Sequence, residues 1–167
     1  MKIVTAVLLM IPMLVSHAFA LEYEINVARR GGNLYWAAAE KIYIQTEYCF
    51  EDAETAALLL RMDGDSGEIT FNESGVKCDV KMVYGQTQLQ AGEYRIKVNW
   101  EDDNWYRIEG QEVALNTNGC LSMVESMEGR LQINEEGPSI LSLPDADEEC
   151  TVDGVFSKAK IEITQGE

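Results

Sequence analysis

The chain has 167 residues, with 13 Lys and Arg against 29 Asp and Glu, one histidine and a formal net charge of −16. That balance argues against nucleic acid as a partner, because phosphate neutralisation needs clustered basic side chains, and it disfavours an anionic membrane surface. Basic proteins, cationic peptides and divalent cations are the partners such a field attracts.

Residues 1–20 read as a secretory signal peptide. Lys2 is the charge of the n-region, Ile3 to Val15 the apolar core, and Ala18-Phe19-Ala20 a small-x-small cleavage pattern. The apolar run falls short of the roughly 20 residues a membrane span needs, and no cysteine adjoins the cleavage site to carry a lipid. An exported protein, periplasmic or secreted, is expected, with no membrane span after processing. The only histidine, His17, leaves with the leader.

The rest of the chain is written twice. Tyr23, Ile25, Val27, Asn33, Tyr35, Thr46 and Cys49 recur 71 residues later as Tyr94, Ile96, Val98, Asn104, Tyr106, Thr117 and Cys120. After one inserted residue the offset becomes 72, and Cys78, Val80, Val83 and Tyr84 answer to Cys150, Val152, Val155 and Phe156. The expected organisation is a β repeat over 21–93 and a second over 94–167, since each copy must be a supersecondary unit that packs on its own or on its twin.

Alternation of apolar and polar residues runs through both copies in the same phase. Tyr23, Ile25 and Val27 share one face of a first strand, as Tyr94, Ile96, Val98 and Trp100 do in its twin. Arg30-Gly31-Gly32-Asn33 and Glu101-Asp102-Asp103-Asn104 are the turns that follow, suited by Gly, Asn and Asp to tight hairpins. A second strand is predicted from Tyr35 through Ile42 and Ile44 to Thr46, and its counterpart from Tyr106 to Thr117. A short helical turn is expected near 50–55, where Phe50 and Ala53 fall at helical spacing, then a strand over 56–62. Turns at Asp63-Gly64-Asp65-Ser66-Gly67 and Glu135-Glu136-Gly137-Pro138 lead into strands over Glu68–Asn72 and Ser139–Leu143. Lys77–Tyr84 and Cys150–Phe156 complete about five strands per copy. Residues 86–93 read as the linker, and Lys158–Ile163 as one extra strand. The fold class is mainly β, two tandem antiparallel units of ~70 residues.

Four cysteines in an exported chain imply two disulfides. The repeat favours the within-copy pairs Cys49–Cys78 and Cys120–Cys150, with Cys49–Cys120 and Cys78–Cys150 the next candidate set. Each within-copy loop is worth roughly 3–4 kcal/mol in the loop-entropy model.

Several chemistries are closed. Without histidine no Ser-His-Asp or Cys-His arrangement can be built, zinc lacks its usual ligands, and no Gly-rich phosphate loop follows a strand. A carboxylate-pair hydrolase is the one enzyme class left, and in so acidic a chain carboxylates approach one another without purpose. No cofactor is implied. Asp63, Asp65 and Glu68 form the calcium candidate, but the EF-hand spacing fails: Glu68 stands at the required glycine and Ser74 at the bidentate acid. A solvated turn accounts for them more simply.

The candidate binding residues are acids in predicted turns: Glu101, Asp102 and Asp103, with Trp105 beside them, and Asp145, Asp147, Glu148 and Glu149. Glu135-Glu136 is a further acidic turn, and Arg29-Arg30 and Tyr48 are exposed candidates to which no role is given. The reading is a non-enzymatic interaction protein whose acidic loops meet a basic protein or cationic peptide, such as a secreted toxin or hydrolase that it inhibits or confers immunity to. A calcium-dependent or structural envelope protein is the alternative.

Overall fold

The structure, a computed structural model, describes residues 21–159; the leader and the region from 160 onward, which holds most of the expected extra strand, lie outside the described residues. It is mainly β, with twelve strands and no α-helix among the described residues. In chain order these are β1 Leu21–Arg29, β2 Leu34–Ala37, β3 Ile42–Thr46, β4 Ala56–Asp63, β5 Ser66–Phe71 and β6 Lys77–Thr87. Then come β7 Gly92–Asp102, β8 Trp105–Ile108, β9 Val113–Asn118, β10 Met127–Ile133, β11 Ser139–Leu143 and β12 Glu148–Lys158, with a 3-10 turn at Pro144–Ala146.

Strand pairing closes a ring in each copy. β1 pairs with β2 and β4, β3 with β2 and β6, and β5 with β4 and β6. β7 to β12 repeat the same antiparallel connections. Six strands per ring, not five, are what closure uses. The stretch expected as one strand from 35 to 46 breaks into β2 and β3 at residues 38–41, and its twin breaks between β8 and β9 around Gly110. The linker is correspondingly short, residues 88–91. No helical turn forms at 50–55: the segment is a loop held by the Cys49 disulfide and by the Arg29 N–H, which donates to the Ala53 carbonyl at 2.8 Å.

Alternation fills two interiors. Ile25, Tyr35, Ile44, Leu58, Ile69 and Val83 face one barrel, and Val98, Tyr106, Leu115, Leu131, Leu141 and Val155 the other. Tyr35 and Tyr106 are both fully buried, and their hydroxyls donate to the repeat-equivalent carbonyls of Glu51 at 2.9 Å and Ser122 at 2.8 Å. The bridges are Cys49–Cys78 and Cys120–Cys150, one within each copy.

A third apolar cluster lies outside both interiors. Leu34, Tyr43, Tyr84, Trp105, Ala114 and Phe156 are the outward-facing neighbours of interior residues, and they pack on one another between the barrels. Along this seam β6 pairs antiparallel with β12, Tyr84 with Lys158, Gly85 with Ser157 and Thr87 with Val155. Ser157 is the repeat counterpart of Gly85, so the pairing is centred on equivalent residues and a pseudo-two-fold axis passes between them. The pairing covers strand edges that each ring would otherwise leave open.

Candidate functional site

The pseudo-two-fold axis generates two half-sites on the seam, and the chain has equipped them oppositely. Each half is organised by a β-bulge, a device that turns one extra side chain out of the ladder. The register of β6 against β3 skips Lys81, and that of β12 against β9 skips its counterpart Asp153. Around each bulge stand three further counterparts: Gln45, Glu101 and Arg107 in one half, Asn116, Arg30 and Trp36 in the other.

The first half is closed by its own charges. Glu101, at the end of β7, has a side chain only 13% exposed. One oxygen accepts from the Arg107 guanidinium at 2.7 Å, and the other from the Lys81 ammonium at 3.0 Å and the Gln45 amide at 3.1 Å. Burial works to raise this carboxyl's pKa, but the donors from Arg107, Lys81 and Gln45 outweigh it and hold it below the usual range. Next to it the Asp102 carboxylate accepts the Asn33 N–H at 2.8 Å and lies against Gly31 and Gly32. A Cβ at Gly31 would meet the Asp102 carboxyl carbon at 3.0 Å, so any larger residue there would push the Asp102 carboxylate back by a few tenths of an ångström. Arg29 shapes that turn by donating to the Gly31 and Gly32 carbonyls at 2.9 and 3.0 Å. The acidic turn of one copy and the glycine turn of the other are two sides of an internal joint.

The second half stays open. Two adjoining cavities of about 300 and 390 Å³ share Arg30, Tyr43, Asn116 and Asp153 as lining. Arg30 and Asp153 are exposed, and neither makes a side-chain hydrogen bond or ion pair among the described residues. The wall is aromatic: Tyr43 lies 4.6 Å from Trp36 and 4.9 Å from Phe156, ring centre to ring centre. The Asn116 amide donates to the Tyr43 hydroxyl at 3.1 Å. Burial raises the pKa of that phenol, Arg30 draws it down and Asp153 pushes it up, so both charges are felt at the slot.

The equivalent loops 47–55 and 119–126 are the other exposed feature. Each starts at a disulfide and is tied down by its tyrosine, yet Tyr48 is 89% exposed, Phe50 64%, Leu121 84% and Met123 78%. Glu47, Glu51, Asp52 and Glu54 surround the first pair, and Glu125 lies beside the second.

The remaining predicted residues scatter. Trp105 is buried in the seam, 4.8 Å from Tyr43 and 5.3 Å from Phe156 between ring centres. Asp103 is exposed at the turn. Asp145, in the 3-10 turn, lines a groove with Arg95, Lys97 and Arg130, and Asp147 is exposed in a left-handed conformation. Glu148 caps the 119–126 loop by accepting the N–H groups of Leu121 and Ser122 at 2.6 and 3.1 Å. Partial burial would raise its pKa, but the Ser122 and Leu121 donors prevail and lower it. Glu149 is exposed and accepts from Ser142. In the calcium candidate, Asp63 and Asp65 flank a hairpin turn, Asp65 pairs with Lys158 at 3.4 Å and Glu68 with Lys77 at 2.7 Å. Among the described residues no three His, Cys, Asp or Glu side chains gather to hold a metal, and no helix is long and apolar enough to cross a membrane.

Sequence reasoning missed Phe50, whose spacing to Ala53 imitates a helical turn, Leu121 and Met123, which carry no distinguishing pattern, and Trp36, Asn116 and Asp153, whose convergence depends on bulges that leave no local signal. Comparison with protein-family models, curated proteins and solved structures finds no match.

Proposed function

We propose that this is an exported, non-catalytic binding protein that captures a basic protein through the two disulfide-anchored loops, 47–55 and 119–126. The observation that carries the reading is the outward display of Tyr48, Phe50, Leu121 and Met123 on loops each anchored by a disulfide and a buried tyrosine hydroxyl. Large apolar side chains normally leave water on folding, and when a fixed loop keeps them out the usual reason is contact with another molecule. Aromatic residues and Met are enriched at such interfaces. The acids around the first loop, in a chain of net charge −16, favour a cationic partner and speed the encounter with it.

Two disulfides suit an oxidising compartment, which agrees with a periplasmic or secreted setting. With all four cysteines bridged and no histidine beyond His17, neither a Cys-His nor a Ser-His pair can be built from this sequence. The Glu101–Asp102 turn leaves the interaction surface in this reading, because the fold itself occupies both carboxylates.

The test is capture from periplasm and culture medium by wild type and by the variant Tyr48→Ser, Phe50→Ser, Leu121→Ser, Met123→Ser. All four residues are exposed, so the variant keeps its fold. Wild type should retain a basic protein that the variant does not, with an association rate falling as salt rises. Equal capture by both proteins at every salt concentration contradicts the reading.

A further inference from the structure

We infer that the open half of the seam is a guanidinium slot that receives one arginine side chain of the cationic partner, an inference that rests on the binding reading above. The closed half shows what the architecture does with a charge. There an anionic arm, Glu101, reaches across the seam onto the bulge residue Lys81 and is clamped from behind by Arg107. In the open half every charge is inverted or removed: the bulge residue is Asp153, the arm is Arg30, and the position of Arg107 is Trp36. The slot is therefore built for a cation, with a carboxylate at its mouth, the Asn116 side chain beside it and the partly exposed Trp36 ring in a wall backed by the buried Tyr43 and Phe156.

The chain's own cation does not fill it. Arg30 lines both cavities but makes no ion pair with Asp153 among the described residues. Glu101 has three donors to hold it, whereas Arg30 has one exposed carboxylate, and exposed ion pairs hold weakly. Arg30 is thus a displaceable resident rather than a lock.

Guanidinium suits the slot better than ammonium. It is planar, stacks on Trp and Tyr faces, is more weakly hydrated, and offers a fork of donors to a carboxylate. The slot also adjoins the proposed docking surface, since Asn118, the last residue before the 119–126 loop, lines the cavity it shares with Arg30 and Asp153. One partner can seat its apolar surface on the loop and an arginine in the slot.

The experiment titrates Nα-acetyl-L-arginine amide into the intact chain and follows the Trp36 indole N–H by NMR. Nα-acetyl-L-citrulline amide, neutral and nearly isosteric, is the control. The arginine probe should shift the Trp36 signal saturably and the citrulline probe should not. Asp153→Asn should weaken binding roughly tenfold or more, as loss of a charge-assisted hydrogen bond does. Arg30→Gln should tighten it, because a competitor is removed. Both residues are exposed, so neither substitution threatens the fold. A missing shift, an equal response to citrulline, or weaker binding by Arg30→Gln would overturn the slot, the last by showing that Arg30 recruits an anion. Partner capture measured alongside separates the two proposals. Capture that survives Asp153→Asn and fails in the loop variant removes the slot and leaves the binding function standing.

Discussion

Glu101 stands where the first copy carries Arg30, and that single inversion explains why the two turns differ so strongly while their strands agree. From the sequence, Glu101, Asp102 and Asp103 look like an exposed acidic rim, because a run of acids in a predicted hairpin is usually solvated. Asp103 is exposed, but the donors that reach Glu101 and Asp102 from the first copy, Lys81, Gln45 and the Asn33 N–H, lie 20, 56 and 69 positions away in the chain, beyond any local pattern. Glu101→Gln should lower stability by about 2 kcal/mol, as loss of hydrogen bonds to charged donors does, measurable by urea unfolding. Its pH signature is fixed in sign. The folded pKa is depressed, so the stabilisation is present above the unfolded carboxylate range and disappears as pH falls through the folded value. Wild type should therefore lose stability in acid more steeply than Glu101→Gln. The tyrosines act at the other end. Burial pushes Tyr84 and Tyr106 up to about 12 from 10.0, so the neutral phenols stabilise the fold below the unfolded value, and that contribution is lost as pH rises from 10.0 towards 12. A thermal scan across that window should show a falling Tm, and Tyr106→Phe should flatten the fall.

At the level of elements, most of what the alternation predicts is present, and the errors have physical causes. The matched tyrosines, both bridges, the turns at Gly64 and Gly137 and the strands after them follow from patterns of period two and from turn residues. The break at 38–41 was hidden because Ala38, Ala39, Glu40 and Lys41 contain no Gly, Pro, Asn or Asp. The turn is made by Lys41 in a left-handed conformation, φ 56°. That conformation is strained for a side chain with a Cβ, and Lys41→Asn should raise stability by about 0.5–1 kcal/mol in chemical denaturation. The copy-two break is legible, because Glu109-Gly110-Gln111-Glu112 is a polar run with a glycine that a single strand from Tyr106 to Thr117 passes over. The loop at 50–55 imitates a helical turn because Phe50 and Ala53 are three apart, yet Ala53 is buried in the core while Phe50 points outward. Replacing Cys120 and Cys150 together by Ala should cost about 3–4 kcal/mol through the freed loop, read as a shift in urea midpoint.

For the whole molecule, closure of two rings leaves strand edges and outward aromatic residues that only the twin copy can cover. One trace of this is visible in the sequence: Leu34-Tyr35-Trp36-Ala37 is apolar on both faces, the mark of a strand buried on two sides. The pseudo-two-fold axis, the paired bulges and the closed and open halves leave no such trace, because they arise from contacts between copies. The central claim is that the acidic turn of the second copy was shaped to hold the first, leaving the loops and the open half-seam for partners. A double-mutant cycle on Glu101→Ala and Lys81→Ala, measured by equilibrium urea unfolding of the intact chain, tests this most directly. Coupling of more than about 0.5 kcal/mol, within the range of about 0.5–3 kcal/mol for residues sharing one charged network, is the predicted result. Additive effects within about 0.5 kcal/mol, or no loss of stability in Glu101→Ala, would contradict it and return the acidic turn to the surface.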